Sequence, residues 1–241
     1  GAIGQVLLYR CYWNSAGVWT RAREAGWSEM EYQMRNWYYF NWLCGDHIVE
    51  QHIHNLDVGN WIMGKTPMKA VGMGGRQVRK GAEHGEIYDH HAVEYIYDDG
   101  TRMHSQCRHQ KQVWSSVSEH VHGSGGTCNV GAGRIETYGG DKWRFEGKDS
   151  DAYQREHDVL FEAIRTGREH NEAIRGAEAT MTAILGRMAT YTGRAITWDE
   201  ALNSTRLLRP DGELTWNTIP RSLPGSDGLY PIPTPGVYKI D

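Results

Sequence analysis

Between Pro67 and Tyr138 apolar and polar residues alternate with a period of two, and glycine-rich turns break the alternation. That period sends successive side chains to opposite faces of a strand, so the centre of this chain reads as a sheet. Met68–Val78 is expected as a strand interrupted at Gly74 and Gly75, where a bulge or a close backbone approach would sit. Ala92–Tyr97 and Thr101–His109 flank Asp98, Asp99 and Gly100, a hairpin signal because glycine accepts positive φ. Val113–His122 and Thr127–Val130 flank the turn Gly123–Gly126, and Arg134–Tyr138 adds a further strand. The block reads as a mostly antiparallel sheet.

The flanks follow other rules. Residues 3–14 alternate as a strand, and an aromatic-dense insert follows over 13–42. In it, Ser28 and Glu31 have capping-box spacing for a short helix over roughly 29–35. Asp46 is expected to cap one continuous helix running to about Met63, with Gly64 at its C′ position. Helical spacing returns in Asp151–Arg165 and Ala173–Thr192, each followed by glycine, and Thr197 with Glu200 opens a third, short helix. Six of the seven prolines lie between Pro210 and Pro235, a texture that excludes helix and central strand and predicts an extended arm. The order implies an α+β fold, a predominantly antiparallel β-sheet with helices packed on one face and a Pro-rich C-terminal arm. Residues 1–209 would form the domain and 210–241 its arm.

Composition excludes several classes. A net charge of −4 lacks the clustered basic excess of a nucleic-acid binder. No apolar run reaches the ~18–20 residues of a membrane span. Cys11, Cys44, Cys107 and Cys128 are scattered, which predicts buried free thiols rather than a disulfide framework or a zinc site. Gly72–Gly75 and Gly131–Gly133 lack the strand–loop–helix context of a dinucleotide fingerprint. No G-x-S-x-G elbow or catalytic cysteine setting is present. Twelve histidines invite a metal reading, yet none of the local spacings (His52 and His54, Asp89 to His91, His120 and His122) is a ligand signature by itself. Solvated or hydrogen-bonded histidines and no metal are the expectation, and a site assembled from several segments is the alternative.

One segment carries chemistry. On a continuous helix at 100° per residue, His47, Glu50, His54, Asp57 and Trp61 share a stripe, while Val49, Ile53 and Leu56 form an apolar one. Glu50 and His54, at i and i+4, could hold a ring N–H on the carboxylate and raise the basicity of the other nitrogen, as a general base needs. The same pair on an ordinary solvated helix face would be worth only a few tenths of a kcal/mol. The adjacent run Trp37, Tyr38, Tyr39 and Phe40 cannot all point one way, so part of it should line a surface. Trp37, Tyr38 and Trp42 are therefore expected to border a substrate cleft.

Gly45, Glu50, His54 and Asp57 resemble the Gly…Asp-x-x-x-His-x-x-Asp segment of the Gfo/Idh/MocA oxidoreductases, the glucose–fructose oxidoreductase and inositol dehydrogenase family. Ile3–Val6, His157–Gly167, Ala183–Arg187, Tyr191–Arg194 and Thr197–Glu200 resemble that family's first post-nucleotide strand and closing helices. Trp42–Gln51 and Val71–Val78 resemble its bacterial subgroup. The likeness covers nearly the whole chain but only the family's second domain; the glycine-rich fingerprint and the Glu-Lys-Pro segment have no counterpart. It implies an N-terminal Rossmann domain in cis, outside this chain, that binds most of NAD or NADP. It also implies oligomerisation through the sheet face. By resemblance His54 is the acid/base at a sugar or cyclitol hydroxyl or carbonyl. Glu50, where Asp is usual, orients it, and Asp57 and Arg76 join the substrate-binding set.

The expected function is thus the substrate and oligomerisation domain of an NAD(P)-dependent oxidoreductase, inactive as an isolated chain and either cytoplasmic or exported to a bacterial periplasm. The start at Gly1, with no initiator Met, reads as a processed or cut end. The rivals are an NAD-dependent glycoside-cleaving enzyme of the same fold and a non-catalytic binding or assembly module.

Overall fold

A computed structural model describes residues 1–147 and 151–241. Nine strands form one sheet in the order β8-β7-β6-β5-β1-β4-β3-β2-β9. They are β1 (Val6–Ser15), β2 (Lys69–Gly75), β3 (His90–Ile96), β4 (Arg102–His109), β5 (Ser116–Gly123), β6 (Gly126–Asn129), β7 (Arg134–Thr137), β8 (Lys142–Arg144) and β9 (Ile196–Thr197). Every pair is antiparallel except β1 with β4, which run parallel from Leu8 opposite Arg102 to Ser15 opposite His109. Both expected hairpins form, joining β3 to β4 and β5 to β6. The short strands β8 and β9 are additions that the alternation does not reveal.

The helices are α1 (Glu29–Arg35), α2 (Asn41–Cys44), α3 (His47–Glu50), α4 (Ile53–Met63), α5 (Ala152–Thr166), α6 (Ala173–Thr192) and α7 (Trp198–Leu202). Local caps behave as their chemistry dictates. The Ser28 hydroxyl accepts from the Glu31 amide, and Thr197 with Glu200 forms a full capping box. Gly64, Gly167 and Gly193 close their helices in the left-handed conformation.

Tyr9, Cys11, Val93, Tyr95, Met103, Cys107 and Val121 alternate onto one sheet face and meet Ile48, Leu56, Ala183, Leu185 and Ala189 of the helices. Gly59 lets α4 settle on this face: a Cβ there would lie 2.8 Å from the Met103 sulfur and 2.9 Å from the Tyr9 ring. The opposite face carries Arg10, Tyr12, Glu94, His104, Gln106, His120 and His122, none of them buried.

Two expectations are corrected. The helix expected over 46–63 is two helices, broken at Gln51 and His52, where the His52 amide reaches back to the His47 carbonyl instead of Ile48. The aromatic run lines a surface much less than expected. Tyr38, Tyr39 and Phe40 are buried with Tyr32, Cys44 and Ile87 in a second core, completed by Tyr230 from the distant Pro-rich segment. Phe40 and Tyr230 meet edge to face at 4.9 Å between ring centres. Residues 203–241 hold no helix or strand. Their carbonyls accept from side chains of the folded domain instead: Ser28 donates to Trp216, Gln33 to Ser222 and Tyr88 to Pro233.

Candidate active site and the buried polar hub beside it

The chain enters α3 through Gly45 and Asp46, both at positive φ (76° and 75°). For Asp46, with ψ 160°, this is backbone territory that essentially belongs to glycine, and it persists only where surrounding contacts over-determine it. They do. Asp46 Oδ1 accepts from the His47 amide at 2.6 Å and from His47 Nδ1 at 2.7 Å. Its Oδ2 accepts from the Tyr88 amide at 2.9 Å and the Tyr191 hydroxyl at 2.5 Å, with His91 Nε2 at 3.3 Å. Arg187 donates to the Gly45 carbonyl at 3.0 Å and pins the turn to α6.

Asp46, His47 and Tyr191 are wholly buried and His91 nearly so. Burial alone would raise the Asp46 carboxyl, but His91 and His47 hold it well below the usual carboxylate range. Burial pushes His47 down to about 4, so its ring is neutral at pH 7. Sequence spacing placed His47 on one stripe with Glu50 and His54; the backbone turn at Asp46 and the break at Gln51 send it inward instead.

Glu50 and His54 straddle that break, so their approach owes nothing to regular helical spacing. His54 is exposed, and its ring centre lies 5.9 Å from that of Trp13 at the C-terminal end of β1. Glu50 is half-buried. Burial raises its carboxyl, and the nearby Tyr38 hydroxyl and His54 counter that in part. Glu50 Oε2 and the Tyr38 hydroxyl are both buried without a hydrogen-bond partner, although the phenol lies close enough to feel the carboxylate. Burial first, and then Glu50, raises the Tyr38 phenol far above its ordinary value.

Asp57 is committed to Arg175 of α6 in a two-pronged ion pair, at 3.2 Å and 2.7 Å. With Ile53, His54, Arg155 and His170 these two side chains line an open groove of about 940 Å³ between α4, α5 and α6.

The remaining expected site residues fall elsewhere. Trp37 is half-buried, packed edge-on against Trp19 and tilted against Tyr38. Trp42 donates Nε1 to Gln33 at 2.7 Å and lines a different cavity of about 490 Å³, shared with Glu86, Arg206 and Arg221. Arg76 donates to the Arg79 and Gly85 carbonyls, both at 2.7 Å, and holds the loop after β2. Two participants escaped the spacing argument. Trp13 stood in the aromatic stretch without a partner to mark it. The Asp46–His91 contact joins residues 45 positions apart, for which the Gly45–Asp46 pair is the only local trace.

No protein-family model matches the sequence, and no curated protein does. Solved structures do match in fold. A Thermotoga maritima protein described as an oxidoreductase superposes with a TM-score of 0.64 at 18% identity, over 82% of this chain and 56% of its own. Aldose-aldose oxidoreductase from Caulobacter crescentus, solved with glycerol, gives 0.61 at 17% identity over 82% of this chain and 57% of its own. GenD2 from gentamicin A biosynthesis, solved with NAD, gives 0.59 at 15% identity over 81% and 56%. This chain therefore spans little more than half the length of these neighbours. At such identities the likeness is one of fold.

Proposed function

We propose that this chain is the substrate-binding part of an NAD(P)-dependent oxidoreductase acting on a hydroxyl or carbonyl of a sugar or cyclitol. The observation that carries the reading is the pair of buried, unpartnered oxygens, Glu50 Oε2 and the Tyr38 hydroxyl, beside the exposed His54. Buried polar atoms are nearly always paired. A carboxylate oxygen and a phenol left without partners behind an exposed imidazole match a polyol, whose hydroxyls donate to the one and accept from the other.

In this reading His54 takes the proton from the reacting hydroxyl during oxidation and returns it to the carbonyl during reduction. Glu50 holds the imidazole in the productive orientation. The Trp13 ring offers an apolar face to the C–H side of a sugar ring. Asp57 acts through Arg175, fixing α4 to α6 beneath the groove. Trp42 and Arg76 serve as supports of the surrounding loops.

Among the described residues the one parallel strand pair is not joined by a glycine-rich turn and crossover helix, so no helix N-terminus follows a phosphate-binding loop. By resemblance, NAD or NADP is assigned mainly to an N-terminal Rossmann domain in cis. When bound, the nicotinamide would supply hydride chemistry, and this chain the orientation and the proton. We place self-association on the open sheet face.

The test is a dehydrogenase assay of the full-length parent over a panel of aldoses and cyclitols with NAD⁺ and NADP⁺. Substrate-dependent reduction of the cofactor that collapses in His54→Ala is expected; turnover unchanged in that variant sinks the assignment. Product analysis with and without added NAD separates net redox from glycoside cleavage.

A further inference from the structure

We propose that Asp46, His47 and His91 form a divalent-metal site of the Zn²⁺ class, built between the first turn of α3 and the start of β3. One donor atom from each of the three residues lies within 4.8 Å of the other two. The site is independent of the proposed dehydrogenation, since none of its residues enters the Glu50–His54 chemistry.

The hydrogen bonds fix which nitrogens are free. Thr190 spends its hydroxyl hydrogen on the Arg187 carbonyl at 2.9 Å. In the tautomer with the proton on Nδ1, the Thr190 oxygen accepts it at 2.9 Å, and the His91 Nε2 lone pair is then available to a cation beside Asp46. His47 likewise gives its Nδ1 hydrogen to Asp46 Oδ1, which leaves a lone pair on Nε2. Both Nε2 atoms are buried, and neither has a hydrogen-bond partner. A bare buried acceptor costs about 1–3 kcal/mol. Protonating His91 would satisfy one of them and leave His47 bare; a bound cation satisfies both.

The donor chemistry selects the ion. Two neutral imidazoles and a carboxylate are ligands that zinc takes, and each imidazole already has its far nitrogen anchored, on Thr190 and on Asp46 itself, as ligating histidines usually do. Tetrahedral ligands at about 2.0–2.1 Å stand roughly 3.4 Å apart, and His91 Nε2 is 3.3 Å from Asp46 Oδ2. The Tyr191 hydroxyl now on Oδ2 has a second acceptor in Asn41 Oδ1 at 3.1 Å, so it can release the carboxylate oxygen to a metal.

The experiment is metal analysis of the full chain, loaded with Zn²⁺ and then dialysed, with Co²⁺ as a spectroscopic probe. The expected result is about one equivalent of zinc per chain, visible bands of low-coordinate Co²⁺, and a thermal transition that chelator lowers. His91→Gln and His47→Gln, with folding checked by circular dichroism, should each lose the stoichiometric metal. The double variant His120→Gln/His122→Gln, on the open sheet face, should keep it. Less than a tenth of an equivalent in the wild type overturns the site, even if the hub variants fail to fold. So does full stoichiometry in folded His91→Gln, or its loss in the His120/His122 variant.

Discussion

Asp46 and Glu50 stand four residues apart, each beside histidine and tyrosine, and the fold treats them in opposite ways. Around Asp46 every oxygen is engaged and the side chains are closed to water. Around Glu50 one carboxylate oxygen and the Tyr38 hydroxyl are free, and His54 is open to solvent. The contrast separates two uses of one chemistry. A buried carboxylate surrounded by donors fixes backbone that would otherwise be strained and can take an ion only by giving a donor up, whereas one with spare capacity is open to an outside ligand.

The largest expected effect breaks the first region. Asp46→Ala strips partners from the Tyr88 amide, the Tyr191 hydroxyl and both His47 donors, and should cost about 3–5 kcal/mol in urea unfolding. A loss below about 1 kcal/mol would mean that the hub does not hold the turn.

His54→Ala tests the second region. It should lower turnover of the parent enzyme by about 10²–10⁴-fold while shifting stability by no more than about 0.5 kcal/mol, because the side chain is exposed. A stability loss as large as that of Asp46→Ala would erase the distinction between the two regions.

Between them in size is a pH effect at His52, which belongs to neither cluster. Its ring is buried, donates Nδ1 to Asn55 at 2.9 Å and accepts from Ser105 at 2.7 Å, and burial depresses it to about 3. The unfolded chain therefore binds a proton that the folded chain refuses. Stability is whole above about pH 6.5 and falls as pH drops from there toward about 3, by up to about 1.4 kcal/mol per unit. Urea midpoints measured in chelator should show this slope, reduced in His52→Asn; an unchanged slope would place the acid sensitivity elsewhere.

The smallest effect belongs to Arg175→Gln, which removes the partner of Asp57. As a half-exposed ion pair it should cost less than about 1 kcal/mol and weaken in salt. A large rise in substrate KM would instead make Asp57 or Arg175 a direct contact.

Much of the architecture was legible from short-range rules. Asp98–Gly100 and Gly123–Gly126 marked both hairpins, Thr197 and Glu200 their capping box, and Ala173–Thr192 its own length to the residue. These features depend on backbone conformations that a few neighbouring residues dictate. The site was legible only in part. Spacing brought Glu50 and His54 forward but grouped His47 with them, because a helical wheel assumes an unbroken helix.

Sequence alone therefore determined the α+β order of elements, their caps and turns, and the segment in which ionisable residues concentrate. Tertiary structure decided which of those residues are sealed and which are open. The reason lies in contact distance along the chain. Asp46 is held by groups 42 and 145 residues away, the Tyr88 amide and the Tyr191 hydroxyl. Such contacts overrule local backbone preference at one residue, and that one turn rotates His47 into the core while His54, past the break, stays at the groove.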